Sequence, residues 1–360
     1  MIRKVNRVIQ DFLRPIRLEI GKMIWDRKEK KSLELLQGDR VDMKKIKSIL
    51  FLRYDGKIGD MVINTLLFRE VKKVYPDIKI GVVGRGAAKD IIKFNPYVDE
   101  IYEYEKGKES SLGKRVRAEG YDVVIDFSEM LRVNQMKLIN LCGGKINIGL
   151  DKVNWKLFDL SYKKSYDKHI TDMYKNILRL LEIENPDLTY DIYSDEVVKN
   201  RIDGIVKNID GDIVILNPYA ASKHRSFNRE KILEISKRVL KDEKNVLLFI
   251  GEPSKKVEID GIIEKLNSNR VFYPELKGIL DVAELISHAK YIVTPDTSIV
   301  HIAVAKGIPM TAVYRLDTED NNSKVWGPNS KIAKQIFSKD VAKTGEEADI
   351  NKFEVEEIGL

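Results

Sequence analysis

The stretch FLRYDGKIGDMVINT, Phe51 to Thr65, decides the fold of the first half of the chain. An apolar run ends at two aspartates and two glycines, and an apolar pattern with helical spacing follows at once. This change of period predicts a strand over Ile46–Arg53 and a helix over Asp60–Val74, and the next apolar run predicts a strand over Ile78–Val83. The order is that of a β-α-β unit, the building block of a parallel sheet.

The alternation of strands and helices continues through the rest of the chain. A polar passage at residues 184–210 is predicted to be poor in helix, and a second series follows it. The sequence therefore predicts an α/β protein with two doubly wound domains, joined near residues 165–210. In the first half we predict a helix over Ala87–Phe94, strands over Glu100–Tyr104 and Tyr121–Ser128, and a helix over Met130–Leu141. In the second half we predict strands over Asp212–Ala220 and Asn245–Gly251, helices over Arg229–Leu240, Val257–Leu266 and Val282–Ala289, and a strand, loop, helix and strand over Tyr291–Tyr314.

Composition narrows the class of protein. With 360 residues and 43% hydrophobic content, the chain is long enough for two cores of ordinary size. One cysteine, Cys142, excludes a disulfide framework and a cysteine-rich zinc module. Neither a cleavable signal peptide nor a spanning run of about 20 apolar residues is recognised, so a cytoplasmic protein is expected.

The positive charge is concentrated at the N-terminus. Residues 1–47 hold 14 Lys or Arg against 7 Asp or Glu, whereas the other residues hold 49 of each. A basic nucleic-acid cleft in the body of the protein is therefore not expected.

The N-terminal arm, residues 1–45, is basic and amphipathic. Val5, Ile9, Phe12 and Ile16 recur at helical spacing among arginines and lysines. Such a helix can lie on an anionic membrane, or it can pack on its own domain with a solvated basic face. We favour the membrane, because Pro15 is expected to split the helix into short pieces that bury little on their own.

Asp60 stands where the first predicted helix begins. It can be an N-cap, which accepts hydrogen bonds from free backbone N–H groups. Alternatively, Gly56 and Gly59 allow a ligand or the other domain to approach the backbone, and a carboxylate that faces a cleft can act as a general base.

A second polar cluster opens the helix predicted after Thr294. Asp296, Thr297 and Ser298 open the helix that carries His301 one turn in, so backbone N–H groups, hydroxyls and an imidazole meet at the carboxyl end of a strand. Such a helix terminus suits a diphosphate. Because Asp296 would repel phosphate, it is expected to cap the helix or to hold a sugar or ribose hydroxyl. The alternative is a well-capped helix with His301 in the core.

Cations follow the first strand of the second domain. The loop NPYAASKHRSFN, residues 217–228, offers Lys223, His224 and Arg225. They could neutralise a departing diphosphate or form a solvated surface. No metal site is expected, because the four histidines lie far apart in sequence and no HExxH motif is present.

Together these segments resemble glycosyltransferase family 9, the ADP-heptose:lipopolysaccharide heptosyltransferases. The resemblance rests on two groups of residues and covers about residues 47–330. The first group follows the opening strand and ends its helix: Arg53, Asp55, Gly59, Asp60, Tyr75 and Pro76. The second group lies near the C-terminus: Asp296, Thr297, His301, Ala303, Gly307 and Pro309.

Two positions depart from the family pattern. Ser298 stands where a glycine is usual, which is expected to tighten the phosphate or sugar pocket and bears on the identity of the donor. The family often has a lysine two residues before a tryptophan, whereas here Arg225 stands two residues before Phe227. Arg225 is therefore the expected phosphate contact, with Lys223 next.

The resemblance implies a GT-B architecture, in which two Rossmann-like domains face a cleft. The acceptor-side domain would span residues 46–185, the nucleotide-sugar domain residues 186–335, and residues 336–360 would pack back toward the first domain. It also implies that Asp60 is the catalytic base. On the donor side it implies contacts from Lys223, Arg225, Asp296, Thr297, Ser298 and His301, and on the acceptor side from Asp55, Gly59 and Arg132.

The activity implied is inverting transfer of heptose from ADP-heptose to a lipopolysaccharide inner-core acceptor, with no divalent metal or other cofactor. The implied partners are a nucleotide sugar, a lipid-linked anionic glycan and, through residues 1–45, the anionic surface of the inner membrane; nucleic acid is not expected. The alternatives are another nucleotide sugar used for another surface glycan, or a membrane-associated binding protein without catalysis.

Overall fold

The structure is a computed structural model that describes residues 2–28, 32–317, 322–341 and 348–360. For residues 2–12 only the backbone is described. Ahead of the first domain, β1 (Leu36–Gln37) and β2 (Arg40–Val41) form a small antiparallel pair.

The first domain is built on a parallel sheet of six strands in the order β5-β4-β3-β6-β7-β8. Its central strands are apolar on both faces, because helices cover both sides. The strands are β3 (Ser48–Leu52), β4 (Lys79–Gly84), β5 (Glu100–Glu103), β6 (Val123–Asp126), β7 (Ile146–Leu150) and β8 (Leu160–Tyr162). The helices are α1 (Ile2–Trp25), α2 (Ile58–Val74), α3 (Ala87–Asp90), α4 (Glu109–Glu119), α5 (Val133–Cys142) and α6 (Ile170–Leu180).

The second domain repeats this plan with the order β11-β10-β9-β12-β13-β14. The fold class predicted from the sequence, two doubly wound α/β domains, is confirmed. The strands are β9 (Asp212–Leu216), β10 (Asn245–Phe249), β11 (Val271–Phe272), β12 (Tyr291–Pro295), β13 (Met310–Tyr314) and β14 (Ala333–Phe337). The helices are α7 (Glu196–Val206), α8 (Arg229–Leu240), α9 (Lys256–Leu266), α10 (Ile279–Ser287), α11 (Ser298–Lys306) and α12 (Asn322–Val325).

The passage at residues 184–210 was predicted to be poor in helix, and this prediction is wrong for α7. The Asp195 side chain caps the helix by accepting a hydrogen bond from the Val198 N–H at 2.9 Å. Val198 and Ile202, one turn apart, are buried. Helix α7 has 11 residues, most of them polar or exposed, and it packs against α10 of the same domain. The cap and the two buried positions are therefore sufficient to stabilise it in this context.

The C-terminal segment was predicted to pack toward the first domain, and its described part packs on the second domain instead. Strand β14 extends the second sheet, and the Phe353 ring lies 5.8 Å from that of Phe227. Arg238 donates a hydrogen bond to the Leu360 carbonyl at 3.1 Å. Ile350, Phe353 and Ile358 complete this core, so the segment is held by apolar burial in the domain that it follows.

The N-terminal helix is continuous from Ile2 to Trp25, although Pro15 was predicted to split it. Its last turns pack on α5, where Leu18 and Trp25 join the core of the first domain. The side chain of Asn140 also donates hydrogen bonds to the Trp25 and Arg27 carbonyls, at 3.2 and 2.8 Å. This packing stabilises the part of the helix that follows Pro15, a residue that would cost an isolated helix about 3 kcal/mol. The predicted positions Val5, Ile9 and Phe12 lie outside the described side chains. Among the described residues, no helix is both long and apolar enough to cross a membrane.

Gly21 lets α1 lie directly on α5. A Cβ atom at this position would come 2.6 Å from Cγ2 of Val133 and 3.2 Å from Cε of Met136. We therefore expect Gly21→Leu to lower the free energy of unfolding by about 1–2 kcal/mol, because overpacking outweighs the better helix propensity of leucine. The measurement is urea unfolding.

The matched control is Gly204→Leu in α7. Gly204 has no atom within 4 Å of its Cβ position, so this change should leave stability unaltered or raise it. Equal effects of the two substitutions would contradict the packing of α1.

Candidate active site

The site lies where the carboxyl ends of the two sheets face each other. Helix α2 begins after β3 of the first domain, and α11 begins after β12 of the second. Their first turns touch: a Cβ atom on Gly59 would come 2.7 Å from Cδ2 of His301 and 3.5 Å from Cα of Ser298. Gly59 therefore allows two helix N-termini from different domains to meet.

Asp60 is in the first turn of α2 and is not its N-cap. The helix begins at Ile58 and Lys57 holds the cap position, so the interpretation of Asp60 as a cap is wrong. Its carboxylate is buried and lies 3.1 Å from Nη1 of Arg53 and 3.9 Å from Nζ of Lys57. The side chain thus forms an ion pair where the first domain faces the second.

The Arg53 guanidinium contacts side chains from three other segments of the first domain. Its Nε donates to Oδ1 of Asn64 at 2.7 Å, and its Nη2 donates to the Tyr174 hydroxyl at 2.9 Å. Its Cζ atom lies 4.3 Å from the centre of the Phe127 ring. Sequence reasoning missed Tyr174, because it comes from α6, more than 100 residues away, and carries no motif.

The electrostatic environment makes Asp60 a better proton acceptor than an ordinary aspartate. Burial raises the pKa of its carboxyl, and the positive charges of Arg53 and Lys57 oppose that rise. The carboxylates of Asp55 and Glu129 raise the pKa further. The group can therefore stay ionised beside Arg53 and still take a proton from a substrate hydroxyl.

The other two predicted acceptor-side side chains differ in their surroundings. Asp55 accepts a hydrogen bond from Nη1 of Arg53 at 3.4 Å and another from the Lys57 N–H at 3.3 Å. Arg132 is exposed at the start of α5, where its N–H donates to Oε1 of Gln135 at 2.7 Å. Within the described residues it forms no hydrogen bond or ion pair with Asp60 or Asp55.

In the second domain, Thr297 caps α11. Its hydroxyl accepts a hydrogen bond from the Ile299 N–H at 3.2 Å and another from Nδ2 of Asn217 at 3.1 Å. Asn217 also donates to the Thr294 hydroxyl at 2.9 Å, so one buried amide links the ends of β9 and β12. Sequence reasoning included Asn217 in the cationic loop but gave it no role.

Asp296 is bound by donors from two segments. Its Oδ2 lies 3.5 Å from Nη1 of Arg225 and 3.3 Å from Nδ2 of Asn322. Burial raises its pKa, and the nearby positive charges of Arg225 and Arg315 oppose the rise. Since Thr297 is the cap, the interpretation of Asp296 as the cap is wrong.

The structure brings the predicted cations to this side of the cleft. Lys223 and Arg225 lie on a single 3₁₀ turn after β9, where Lys223 is exposed and Arg225 is half-buried against Asp296. Ser298 is the first residue of α11 and faces Gly59. In the part of the chain that the structure describes, no three His, Cys, Asp or Glu side chains are grouped so that they could hold a metal ion.

His301 is buried in the contact between the domains. Its ring lies edge-on to Tyr190, with centroids 6.3 Å apart, and its Nδ1 has no hydrogen-bond partner among the described residues. Burial, helped by the nearby His169, lowers the pKa of His301 to about 3. The imidazole is therefore neutral, and it packs against Gly59 on the opposite helix.

Residues 110–351 match the sequence profile of glycosyltransferase family 9 (heptosyltransferase). The chain belongs to glycosyltransferase family 9. As a member of this family the protein is a glycosyltransferase, and the resemblance recognised in the sequence is confirmed.

Two relatives from Escherichia coli strain K12 carry related names. Putative lipopolysaccharide heptosyltransferase 4 is 25% identical over 312 residues, which cover 82% of this chain and 83% of that protein. Lipopolysaccharide heptosyltransferase 3 is 23% identical over 283 residues, which cover 71% of this chain and 79% of that protein.

Solved structures of the family share the fold. The family 9 glycosyltransferase of Veillonella parvula superimposes with a TM-score of 0.73 at 15% identity, covering 86% of this chain and 94% of that one. E. coli ADP-heptose LPS heptosyltransferase II gives 0.69 at 18% identity, with 86% and 96% covered. E. coli heptosyltransferase WaaC with ADP gives 0.67 at 14% identity, with 86% and 97% covered.

The buried His301 predicts a loss of stability in acid. The unfolded chain binds a proton at this residue below a pKa of about 6.5, whereas the folded protein does not until the pH approaches about 3. The contribution of His301 to the free energy of unfolding is therefore fully present above pH 6.5 and is lost as the pH falls. Between pH 7 and pH 5, protonation of His301 in the unfolded chain should lower the free energy of unfolding by about 2 kcal/mol. The substitution His301→Gln should abolish that part of the decrease.

The measurement is urea unfolding of both proteins at pH 7 and at pH 5. The control is His224→Gln, since His224 is exposed, and it should keep the wild-type decrease. A decrease of equal size in His301→Gln would contradict the neutral, buried state of His301.

Proposed function

We propose that this protein is an inverting glycosyltransferase that moves heptose from ADP-heptose to a lipid-linked, lipopolysaccharide inner-core acceptor at the cytoplasmic face of the membrane, without a divalent metal. The observation that carries the proposal is the position of Asp60. This buried carboxylate, paired with Arg53, stands beside the contact between the acceptor-side helix α2 and the N-terminus of α11. The names of the relatives and the ADP bound to WaaC support the choice of donor and acceptor.

Asp60 is proposed as the general base. It would take the proton from the acceptor hydroxyl as that oxygen attacks the anomeric carbon. The new carbon–oxygen bond forms while the bond from the anomeric carbon to the diphosphate breaks, and ADP leaves with the bonding electrons. A single displacement inverts the anomeric carbon, and the proton remains on Asp60.

The second domain would stabilise the leaving diphosphate. The N-terminus of α11 offers backbone N–H groups and the positive end of the helix dipole. Arg225 lies beside it, with Lys223 on the same turn. Asp296, which is already bound by Arg225 and Asn322, would fix the direction of that guanidinium or accept a hydrogen bond from a sugar or ribose hydroxyl.

The donor can be tested by thermal shift with ADP, UDP, GDP, CMP and NAD in the presence of EDTA. A ligand at about 100 times its dissociation constant adds roughly 2.7 kcal/mol of apparent stability. We expect selective stabilisation by ADP without metal. Stabilisation by UDP or GDP would assign another donor, and stabilisation by NAD alone would overturn the proposal.

The base can be tested with Asp60→Asn, which keeps the size of the side chain. We expect turnover to fall by about 10²–10⁴, the usual contribution of general base catalysis, while the thermal shift by ADP is retained. The control is Asp77→Asn, an exposed carboxyl beyond the other end of α2. A binding protein without catalysis would show no turnover to lose, and full turnover in Asp60→Asn would refute the role of Asp60.

A further inference from the structure

Helix α1 has two apolar faces. Leu18, Gly21 and Trp25 face the first domain, at the i, i+3, i+7 spacing of one side of a helix. The second face carries four large apolar side chains that the protein leaves exposed. They are Ile16, Ile20, Met23 and Ile24, with exposed fractions of 48%, 52%, 82% and 44%.

The two faces lie on opposite sides of the helix. On a helical wheel at about 100° per residue, the mean direction of the exposed set lies about 150° from that of the packed set, and Ile24 borders the packed face, about 60° from Gly21. The exposed set therefore points away from the protein while α1 remains packed on α5. The helix does not have to detach to offer this face to a partner.

The contacts of α1 fix its direction relative to the cleft. Gly21 lies against Val133, at the start of α5 and hence at the carboxyl edge of the first sheet. Lys28 donates a hydrogen bond to the Lys145 carbonyl at 2.6 Å, just before β7 and hence at the opposite edge. Helix α1 thus runs parallel to α5, and its earlier residues extend past the edge at which Asp60 lies.

The length of this extension is considerable. Among the side chains of α1 that the structure describes, Leu18 is the first that packs on the core of the first domain, and the helix begins at Ile2. At 1.5 Å per residue, the preceding part spans about 24 Å. Arg14, Pro15, Ile16 and Arg17 are all exposed.

The charge of residues 1–28 indicates what kind of partner the exposed face of α1 binds. Residues 1–28 contain 8 Lys or Arg and 3 Asp or Glu. The sequence period that places Val5, Ile9 and Phe12 in register with Ile16 continues into the exposed face. An apolar stripe flanked by excess positive charge matches the interface of an anionic bilayer, where acyl chains lie below phosphates.

We propose that the face formed by Ile16, Ile20, Met23 and Ile24 docks the protein on an anionic lipid bilayer and turns the acceptor edge of the first domain toward the lipid. The proposal that the protein docks on the bilayer depends only on the structure and charge of α1. The delivery of a lipid-linked acceptor to Asp60 rests on the proposed function. Docking would keep the base within reach of a sugar that cannot leave the membrane surface, which raises the local concentration of acceptor.

The test compares full-length wild type with the Ile20→Asp/Met23→Asp double variant. Binding is measured by cosedimentation with vesicles of phosphatidylethanolamine and one third phosphatidylglycerol, and with vesicles of phosphatidylcholine alone. We expect wild type to bind the anionic vesicles, less so at high salt, and the variant to bind at least about 30-fold more weakly. The matched control is Val197→Asp/Val257→Asp, two exposed apolar positions on the second domain, which should bind as wild type does.

Two further measurements separate this proposal from the transferase activity. Turnover with a short, water-soluble acceptor should be the same in all three proteins, while turnover with lipid-linked acceptor in vesicles should fall only in the Ile20→Asp/Met23→Asp variant. Wild-type vesicle binding by that variant, or equal binding of wild type to both kinds of vesicle, would overturn the docking proposal. So would light scattering that shows a dimer for wild type and a monomer for the variant, since a second copy would then occupy the face.

Discussion

The part of the candidate site that the first domain contributes depends on the buried guanidinium of Arg53. It sits at the end of β3 and reaches α2 through Asn64 and Asp60, and α6 through Tyr174. A buried charge of this kind is tolerated only when its donors are satisfied. Asp60 is therefore held in place by the same group whose charge opposes the rise in its pKa, and the catalytic candidate is part of the structural framework of the domain.

Much of the fold follows from local sequence signals. The β-α-β pattern around Phe51–Thr65 and the strand, loop and helix over Tyr291–Tyr314 are strong because apolar runs and helical periods alternate without interruption. Helix α7 was missed because only two of its positions are buried. The break expected in α1 at Pro15 does not occur, and the residues that follow Pro15 pack on α5. The placement of residues 348–360 on the second domain depends on contacts with Phe227, which no local pattern encodes.

The candidate site shows the same division. The sequence placed Asp60 and Thr297 at helix starts, because carboxyl ends of parallel strands lead into helix N-termini. It could not supply Tyr174 or the role of Asn217, since these side chains arrive from distant segments and are ordinary residues outside any motif. It also could not show that His301 is a packing residue between domains, because burial depends on how closely the two helices approach.

The contact at Gly59 has an electrostatic consequence. The first turns of α2 and α11 both carry positive partial charge, and the absence of a side chain at Gly59 brings these like poles together. Asp60 offsets the charge at α2, and a bound diphosphate would offset the charge at α11. Without a bound anion the two helix N-termini would repel each other, and the diphosphate of the proposed donor would reduce that repulsion between the domains.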